Sequence, residues 1–123
     1  MDLEVQFSLN EAQQFLIVAK FALESGLYGP AISNSAHSAI RSKDAICVKA
    51  KGLSKSTRRH ADAVNELKSL GLLPVSSLRQ FALVIDAKPR AEYQITQFSR
   101  SDAARCVQAA ERFYFSVEKQ LQT

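Results

Sequence analysis

Four polar side chains in the first half of the chain have the types and the spacing that phosphate chemistry needs. Asn34, His37, Arg41 and Asp44 follow one another at intervals of three or four residues. On a helix such positions share one flank. There an imidazole could transfer a proton and a guanidinium could neutralise a phosphate. A single histidine among serines is also typical of a hydrogen-bonded surface residue, so this flank has two interpretations.

A basic stretch overlaps this flank and extends beyond it. Residues 41–60 contain seven lysines and arginines and one acid, whereas the whole chain has a net charge of only +4. Such a local excess of positive charge attracts the phosphates of a nucleotide or nucleic acid, or an acidic protein surface. A solvated helix end, where lysines complement the helix dipole, would have the same composition. The predicted basic patch consists of Lys49, Lys51, Lys55, Arg58 and Arg59.

Other kinds of chemistry are poorly represented in the sequence. Cys47 and Cys106 lie far apart within apolar helical patterns, and His37 and His60 are the only histidines. They do not supply the closely spaced ligands of a zinc site, and both cysteines are predicted to be small buried hydrophobes. Four scattered glycines cannot form a phosphate-binding loop after a strand, and no nucleophile lies in a recognisable motif. The sequence therefore predicts no metal, no cofactor and no triad hydrolase.

The elements that must position these residues are predicted to be helices. Residues 8–11 (Ser-Leu-Asn-Glu) have the form of a capping box, which predicts a first helix that begins here and ends at Gly26. Pro30 suits the first turn of a second helix, which is expected to run to about residue 51. This second helix is rich in alanine and serine, and such small side chains let a neighbouring helix approach closely.

Three further helices complete the predicted bundle. Residues 53–57 form the cap region of a third helix, and Pro74 opens a fourth, shorter helix that is expected to end near Ala87. Residues 88–94 are expected to form a loop. A second capping box at residues 99–102 (Ser-Arg-Ser-Asp) begins a last helix, which has the cleanest amphipathic stripe of the chain.

The pattern as a whole predicts an all-α fold. We expect a single domain over residues 1–123, an antiparallel up-and-down helical bundle of four main helices and one short helix. The 123 residues leave room for one core and not for a separate catalytic module. No alternation of polar and apolar residues reaches strand length. The first and last helices are expected to supply the main core through Phe15, Ala19, Leu23, Val107, Ala110, Tyr114 and Val117.

Several short segments together resemble the HEPN domain family. They are Leu-Tyr-Gly-Pro-Ala at 27–31, Lys-Gly-Leu-Ser-Lys-Ser at 51–56, His-Ala-Asp-Ala-Val at 60–64 and Arg-Ala-Glu-Tyr at 90–93. The last segment, before the long capped helix, is the most diagnostic. The resemblance implies the minimal single-domain bacterial or archaeal form of the family. Such bundles commonly dimerise, and many are paired with a minimal nucleotidyltransferase in a two-protein toxin–antitoxin module.

The resemblance also implies where a ligand binds and why nuclease activity is not expected. Ribonucleases of the family carry an arginine followed four to six residues later by a histidine. After Arg90 those positions hold Gln94, Ile95 and Thr96, and a glutamine cannot transfer a proton near neutral pH. We therefore expect a non-catalytic domain that binds a nucleotide, RNA or a nucleotidyltransferase. The expected groove is lined by Asn34, His37, Arg41, Arg90, Glu92 and Tyr93. The alternative is a metal-independent ribonuclease in which His37 is a displaced catalytic residue.

Two further expectations concern location and assembly. The acidic N-terminus lacks the basic region and the apolar core of a signal peptide, and no segment has the length of a membrane span. We therefore expect a cytoplasmic protein without membrane contact. Ile17, Val18 and Phe21 lie off the apolar stripe of the first helix. These surplus apolar residues, together with the pairing habit of the family, predict a homodimer.

Overall fold

A computed structural model describes residues 2–52, 60–93 and 97–123, and they form five α-helices. The helices are α1 (Leu3–Glu24), α2 (Tyr28–Lys51), α3 (His60–Leu70), α4 (Val75–Tyr93) and α5 (Arg100–Leu121). The described residues contain no strand, which confirms the predicted all-α class. The short helix is α3, with 11 residues, and not the fourth helix as predicted, since α4 has 19 residues. The predicted cap region of α3 at 53–57 lies outside the described residues. None of the described helices is both long and apolar enough to cross a membrane.

The start of α1 differs from the predicted one. Asp2 is the N-cap, and its carboxylate accepts a hydrogen bond from the Glu4 backbone N–H at 2.7 Å. Ser8, the predicted cap, lies inside the helix and is buried. The capping box expected at this position is therefore wrong. The physical reason is that Val5 and Leu9, both buried, continue the apolar stripe toward the N-terminus.

The central helix of the bundle is α2, which contacts all four other helices. Its buried surface is built largely from alanine and serine, so neighbouring backbones come close to it. The Ser38 hydroxyl donates a hydrogen bond to the backbone carbonyl of Ala12 in α1 at 2.8 Å, which requires such a close approach. The first and last helices supply much of the core, as expected, and α2 adds a large share that was not predicted. The short side chains of α2 place it between the others.

The core contains two clusters of buried side chains. The larger one draws on all five helices and includes the rings of Phe81 in α4 and Phe113 in α5, whose centres are 5.0 Å apart. The smaller one joins the end of α1 to the starts of α2 and α5 around Ile32. Five of the predicted core residues are buried, namely Ala19, Val107, Ala110, Tyr114 and Val117. The other two, Phe15 and Leu23, are only partly buried.

The fourth helix is longer than predicted and includes most of the expected loop. It runs to Tyr93 with Pro89 in its interior. A proline removes one hydrogen bond from a helix and usually ends it, which is why the sequence suggests an earlier end. The helix continues because Ala87 and Ala91, one turn apart, pack against the smaller core cluster. Tertiary packing here outweighs the local effect of the proline.

The last helix agrees with its prediction. Ser99 is the N-cap, the Asp102 backbone N–H donates to its hydroxyl, and the Ser99 backbone N–H donates to the Asp102 carboxylate, each at 3.1 Å. The helix lies antiparallel to α4, since its first turns adjoin the end of α4 and its last turns adjoin the start of α4. At the latter end the hydroxyls of Ser77 and Ser116 are 2.5 Å apart.

The outward side of α1 is apolar. Leu3, Phe7, Ile17, Val18 and Phe21 are between 48% and 82% exposed. They project away from the buried face of the same helix, so α1 has apolar residues on two opposite sides. An ion pair between Lys20 and Glu111 links α1 to α5 along one edge of this surface.

Candidate binding site between α2, α4 and α5

A concave site lies where the end of α4 meets the beginning of α5, above the first turns of α2. Its volume is about 320 Å³, which is within the range of small-molecule sites. We name it the Arg90 cavity. It is lined by Ile32, Leu83, Asp86, Ala87, Arg90, Phe98, Asp102, Arg105 and Cys106. Apolar side chains form the floor of the cavity. Two arginines (Arg90 and Arg105) and two aspartates (Asp86 and Asp102) lie around it.

Arg90 reaches this cavity from the last turns of α4, where the sequence predicted a loop. The central carbon of its guanidinium lies 5.8 Å from the centre of the Phe98 ring. A guanidinium over a ring face is attracted by about 0.5–1 kcal/mol at an exposed site. The pair forms a flat wall that combines positive charge with an aromatic surface.

The acid at the start of α5 is held in its charged form. Hydrogen bonds from the Ser99 backbone N–H and hydroxyl lower the pKa of Asp102 below its usual value, and the nearby charges of Arg90 and Arg105 act in the same direction. Asp102 is therefore a carboxylate at neutral pH. One carboxylate oxygen of Asp102 accepts the hydrogen bond of the helix cap. Part of its capacity to accept hydrogen bonds is therefore already used within the protein.

A cysteine lies in the wall of the Arg90 cavity. Burial raises the pKa of the Cys106 thiol, although the charge of Arg105 acts weakly in the opposite direction. The thiol thus remains protonated at neutral pH. Since the thiolate is the nucleophilic form, Cys106 serves as an apolar wall residue.

The predicted polar flank of α2 occupies a different place. The Asn34 side-chain amide donates to the Pro30 carbonyl at 2.8 Å. The His37 ring packs against Phe15 of α1, with ring centres 5.2 Å apart. Arg41 lies 3.9 Å from a carboxylate oxygen of Asp44. Each of the three side chains thus has a local structural partner.

The structure does not bring all the predicted site residues into one groove. A helix turns by about 100° per residue, so Ile32, which lines the Arg90 cavity, and Arg41 project from opposite sides of α2. Asn34 and His37 likewise do not line the cavity. Of the four predicted groove residues whose side chains are described, only Arg90 does. Glu92 and Tyr93 lie on the last turn of α4, and their side chains are outside the described residues.

The predicted basic patch is described only in part. Lys49 and Lys51 are exposed at the end of α2, which Gly52 terminates with a left-handed φ of 69°. Lys55, Arg58 and Arg59 lie outside the described residues. The patch therefore has two described cations at the surface.

One lysine of the basic stretch is not at the surface. Lys43 is only 2% exposed, and its ammonium lies 3.2 Å from Asp44. One turn later Cys47 donates a hydrogen bond to Glu66 of α3, and burial together with this bond raises the pKa of Cys47 to about 12. The described residues contain no group of three or more metal-binding side chains.

Sequence reasoning did not identify most of the residues that form the Arg90 cavity. Asp86, Phe98 and Arg105 come from segments that carry no recognisable motif. The only available signal was the capping box at Ser99, which fixes the first turn of α5 beside the arginine of α4. The remaining residues meet through packing that no local pattern encodes.

Comparison with known proteins agrees with the arrangement of five helices. A search of curated proteins gave no match. The HEPN domain family matches residues 5–120, nearly the whole chain. This match includes the second-helix and Arg-Ala-Glu-Tyr segments on which the resemblance was based. The chain belongs to the HEPN domain family.

Proposed function

We propose that this protein is a non-catalytic HEPN domain that binds a nucleotide, free or as part of an RNA, in the Arg90 cavity. The observation that carries the proposal is the wall formed by Arg90 and Phe98 above an apolar floor. A nucleobase has apolar faces and a polar edge, and it stacks on both phenyl rings and guanidinium planes. Because the Arg90 guanidinium lies over the Phe98 ring, a base that stacks on the outer side of the guanidinium would extend this stack.

The charges around the cavity suit the polar parts of the same ligand. Arg105 can donate hydrogen bonds to a phosphate or to base acceptors, and Asp86 can accept from an amino group of a base. The charges of two acids and two cations balance in this cavity. The cavity therefore favours a base, whose edge carries both hydrogen-bond donors and acceptors, over an inorganic anion. This balance supports a nucleotide over inorganic phosphate.

The chemistry of the chain supports binding without catalysis. The two cysteines are protonated at neutral pH because burial raises the pKa of each thiol. No histidine is among the described residues that line the Arg90 cavity. The ribonuclease alternative requires His37, which packs against Phe15 on another surface of α2.

Calorimetric titration with AMP, GMP, CMP and UMP tests the proposed site. We expect at least one of them to bind, and Arg90→Ala to weaken that binding tenfold or more. Arg90→Lys keeps the charge but lacks the planar guanidinium, so it should restore only part of the affinity. Lys68→Ala, which removes an exposed cation of α3, is the matched control and should bind like the wild type. No nucleotide binding, or equal losses in the control, would contradict the proposal.

An incubation of purified protein with RNA in EDTA separates the binding domain from the ribonuclease. We expect no cleavage. Cleavage that disappears in His37→Ala would instead establish the alternative.

A protein partner is the second part of the proposal. Membership of the HEPN family supports pairing with a minimal nucleotidyltransferase in a cytoplasmic toxin–antitoxin module, and the exposed Lys49 and Lys51 offer cations to an acidic surface. We expect a tagged chain to co-elute with a nucleotidyltransferase encoded beside its own gene. Lys49→Glu with Lys51→Glu should weaken this co-elution, whereas Lys68→Glu should not. Separate elution of the two wild-type proteins would contradict the pairing.

A homodimer through the outward side of α1 completes the proposal. The exposed positions of this side alternate at intervals of four and three residues, the spacing found in paired helices. They are symmetric about residue 12, with Leu3 and Phe21, Phe7 and Ile17, and Asn10 and Gln14 equally far from it. In an antiparallel pair around a two-fold axis, apolar residues therefore meet apolar residues and amides meet amides.

Analytical ultracentrifugation tests this dimer. The wild type should sediment at twice 13.6 kDa at micromolar concentration. Ile17→Lys should yield a monomer with unchanged circular dichroism, because it inserts a charge opposite the partner's apolar side chains. Gln13→Lys, on an exposed position beside the pairing face, should remain dimeric. A monomeric wild type, or dissociation in both variants, would argue against pairing through this face.

A further inference from the structure

A second cavity lies at the other end of the groove between α4 and α5. Its volume is about 530 Å³. We name it the Arg112 cavity. Arg112, Phe115 and Lys119 of α5 form one side, and Ser77 of α4 lies opposite them, in hydrogen-bond distance of Ser116. Like the Arg90 cavity it combines one phenylalanine ring with two cations.

The two cavities differ in their balance of charge. Two acids line the Arg90 cavity, whereas none of the described residues that line the Arg112 cavity is an acid. Arg112 and Lys119 form no ion pair with any described residue. The acids on the opposite flank of α5 are engaged elsewhere, since Glu111 pairs with Lys20 and Glu118 accepts a hydrogen bond from Tyr114. The Arg112 cavity is therefore the more cationic of the two.

A single row of cations connects the two ends of the groove. Arg105, Arg112 and Lys119 are spaced by seven residues and therefore lie on one side of α5. At a rise of 1.5 Å per residue, successive members are about 10.5 Å apart and the row is about 21 Å long. A mononucleotide is too short to reach from one end to the other.

We propose that the groove between α4 and α5 binds a single strand of nucleic acid along its length. This proposal rests on the proposed function, since it places one base of the strand against Phe98 in the Arg90 cavity. The phosphates then follow the row of cations to Arg112 and Lys119, and a second base stacks on Phe115, whose ring is 53% exposed. Positive grooves with exposed rings bind single strands in this way. With an axial rise of about 3.4 Å per nucleotide in a strand whose bases are stacked, the row spans about six nucleotides.

Fluorescence anisotropy with labelled oligoadenylates of 2, 4, 6, 8 and 12 nucleotides tests the proposal. Affinity should rise up to about six to eight nucleotides and then level off. Arg112→Ala with Lys119→Ala should weaken binding of the 8-mer tenfold or more and leave the 2-mer unchanged. Because each lost phosphate contact reduces the salt dependence of a single strand by about 0.7 in slope, the double variant should lose about 1.4.

Two further comparisons make the test specific. Lys68→Ala removes an exposed cation from a different surface, on α3, and should bind the 8-mer like the wild type. Phe115→Leu keeps an apolar side chain without a ring face, and it should weaken the 8-mer at least about fivefold. All these positions are exposed, so circular dichroism should be unchanged.

The results that would overturn the proposal are distinct from those that would overturn the nucleotide site. Equal affinity for the 2-mer and the 8-mer, or an equal loss in the Lys68 variant, would contradict the extended groove while mononucleotide binding at Arg90 stands. Equal binding of an RNA duplex would also overturn it, because paired bases cannot stack on the two rings. If the wild-type protein binds no mononucleotide, both the nucleotide site and the extended groove are contradicted.

Discussion

α1 and α5 have the same length of 22 residues, and both pack against α2, yet they present different chemistry outward. α1 exposes Phe7, Ile17 and Phe21, whereas α5 exposes a row of cations with a single phenylalanine, Phe115. The inward faces of both helices are apolar and similar. Packing against the core therefore determines only the buried face of a helix. The residue types on the exposed face indicate which kind of partner the helix can bind.

The hydrophobic pattern has a different meaning in the two helices. In α5 a single apolar stripe marks the core, and the remaining positions are polar except Ala104 and Phe115. In α1 apolar residues occur on both sides, so the pattern alone would suggest a helix buried all round. The structure shows instead that only one side is buried. Four predictions test this contrast between inward and outward faces and the capped start of α5.

The largest effect is expected where α5 meets the core. Phe113 is fully buried beside Phe81, whereas Phe115 is 53% exposed. Phe113→Ala leaves a cavity, so the free energy of unfolding should fall by about 3–5 kcal/mol. Phe115→Ala is the matched control and should change it by about 0.5 kcal/mol or less. Urea denaturation followed by circular dichroism measures both, and equal losses would refute the division of α5 into two faces.

A smaller effect is expected at the contact between α1 and α2. Ala12 is fully buried, and its carbonyl accepts the hydrogen bond from Ser38. Ala12→Leu forces extra methyl groups into this contact and should lower the free energy of unfolding by about 1–3 kcal/mol. The neighbouring Gln13 is exposed, so Gln13→Leu should stay within about 0.5 kcal/mol of the wild type. Unchanged stability in Ala12→Leu would show that the two helices are not in close contact.

The stability that the start of α5 contributes should depend on pH. Ser99→Ala removes the cap of α5 and should cost about 1 kcal/mol at pH 7. Hydrogen bonds from Ser99 lower the pKa of Asp102 in the folded state. The charged carboxylate therefore adds stability above its ordinary pKa of 3.8, and this part is lost as the pH falls through the lowered value.

The matching variant is Asp102→Asn, measured by urea denaturation from pH 7 to pH 2. It should be less stable than the wild type at neutral pH, and the difference should shrink as the wild-type carboxyl becomes protonated. A difference that is independent of pH would exclude a charged capping box.

The smallest effect is expected at the edge of the inward face of α5. The Tyr114 hydroxyl donates to Glu118 at 3.3 Å, and Tyr114→Phe should cost about 0.5 kcal/mol. Burial, followed by the charge of Glu118, raises the pKa of Tyr114 above its usual value of 10.0. Stability should therefore decline in the wild type as the pH rises above this value, because the unfolded tyrosine ionises first. The Tyr114→Phe variant should decline less, and parallel curves would contradict the raised pKa.

The fold could be predicted from the sequence where a local signal and the apolar period agree. At Ser99 the cap and the stripe of α5 begin together, and the predicted start is confirmed. At Ser8 the two signals conflict, because Val5 and Leu9 already belong to the stripe. At Pro89 the local signal favoured a helix end, and packing of Ala91 in the folded protein overrode it.

The candidate site could be predicted only in part. Arg90 was identified through a family motif, which is a property of a short segment. Its neighbours Asp86, Phe98 and Arg105 come to it through the antiparallel packing of α4 and α5, which the sequence does not encode locally. The same limit explains why His37 and Arg90 were expected in one groove. Their separation depends on which side of α2 faces α4. The spacing of residues shows which of them share one side of a helix, but it does not show which neighbouring helix that side contacts.

The proline within α4 has a consequence for how the Arg90 cavity opens. Pro89 has no amide hydrogen, so the carbonyl of Ile85 lacks the donor that a regular helix would supply four residues later. The end of α4 that carries Arg90 is therefore joined to the preceding turn without this hydrogen bond. We expect the amide hydrogens of residues 90–93 to exchange faster than those of residues 79–88. Local opening there would separate Arg90 from Phe98 while the rest of the bundle stays folded.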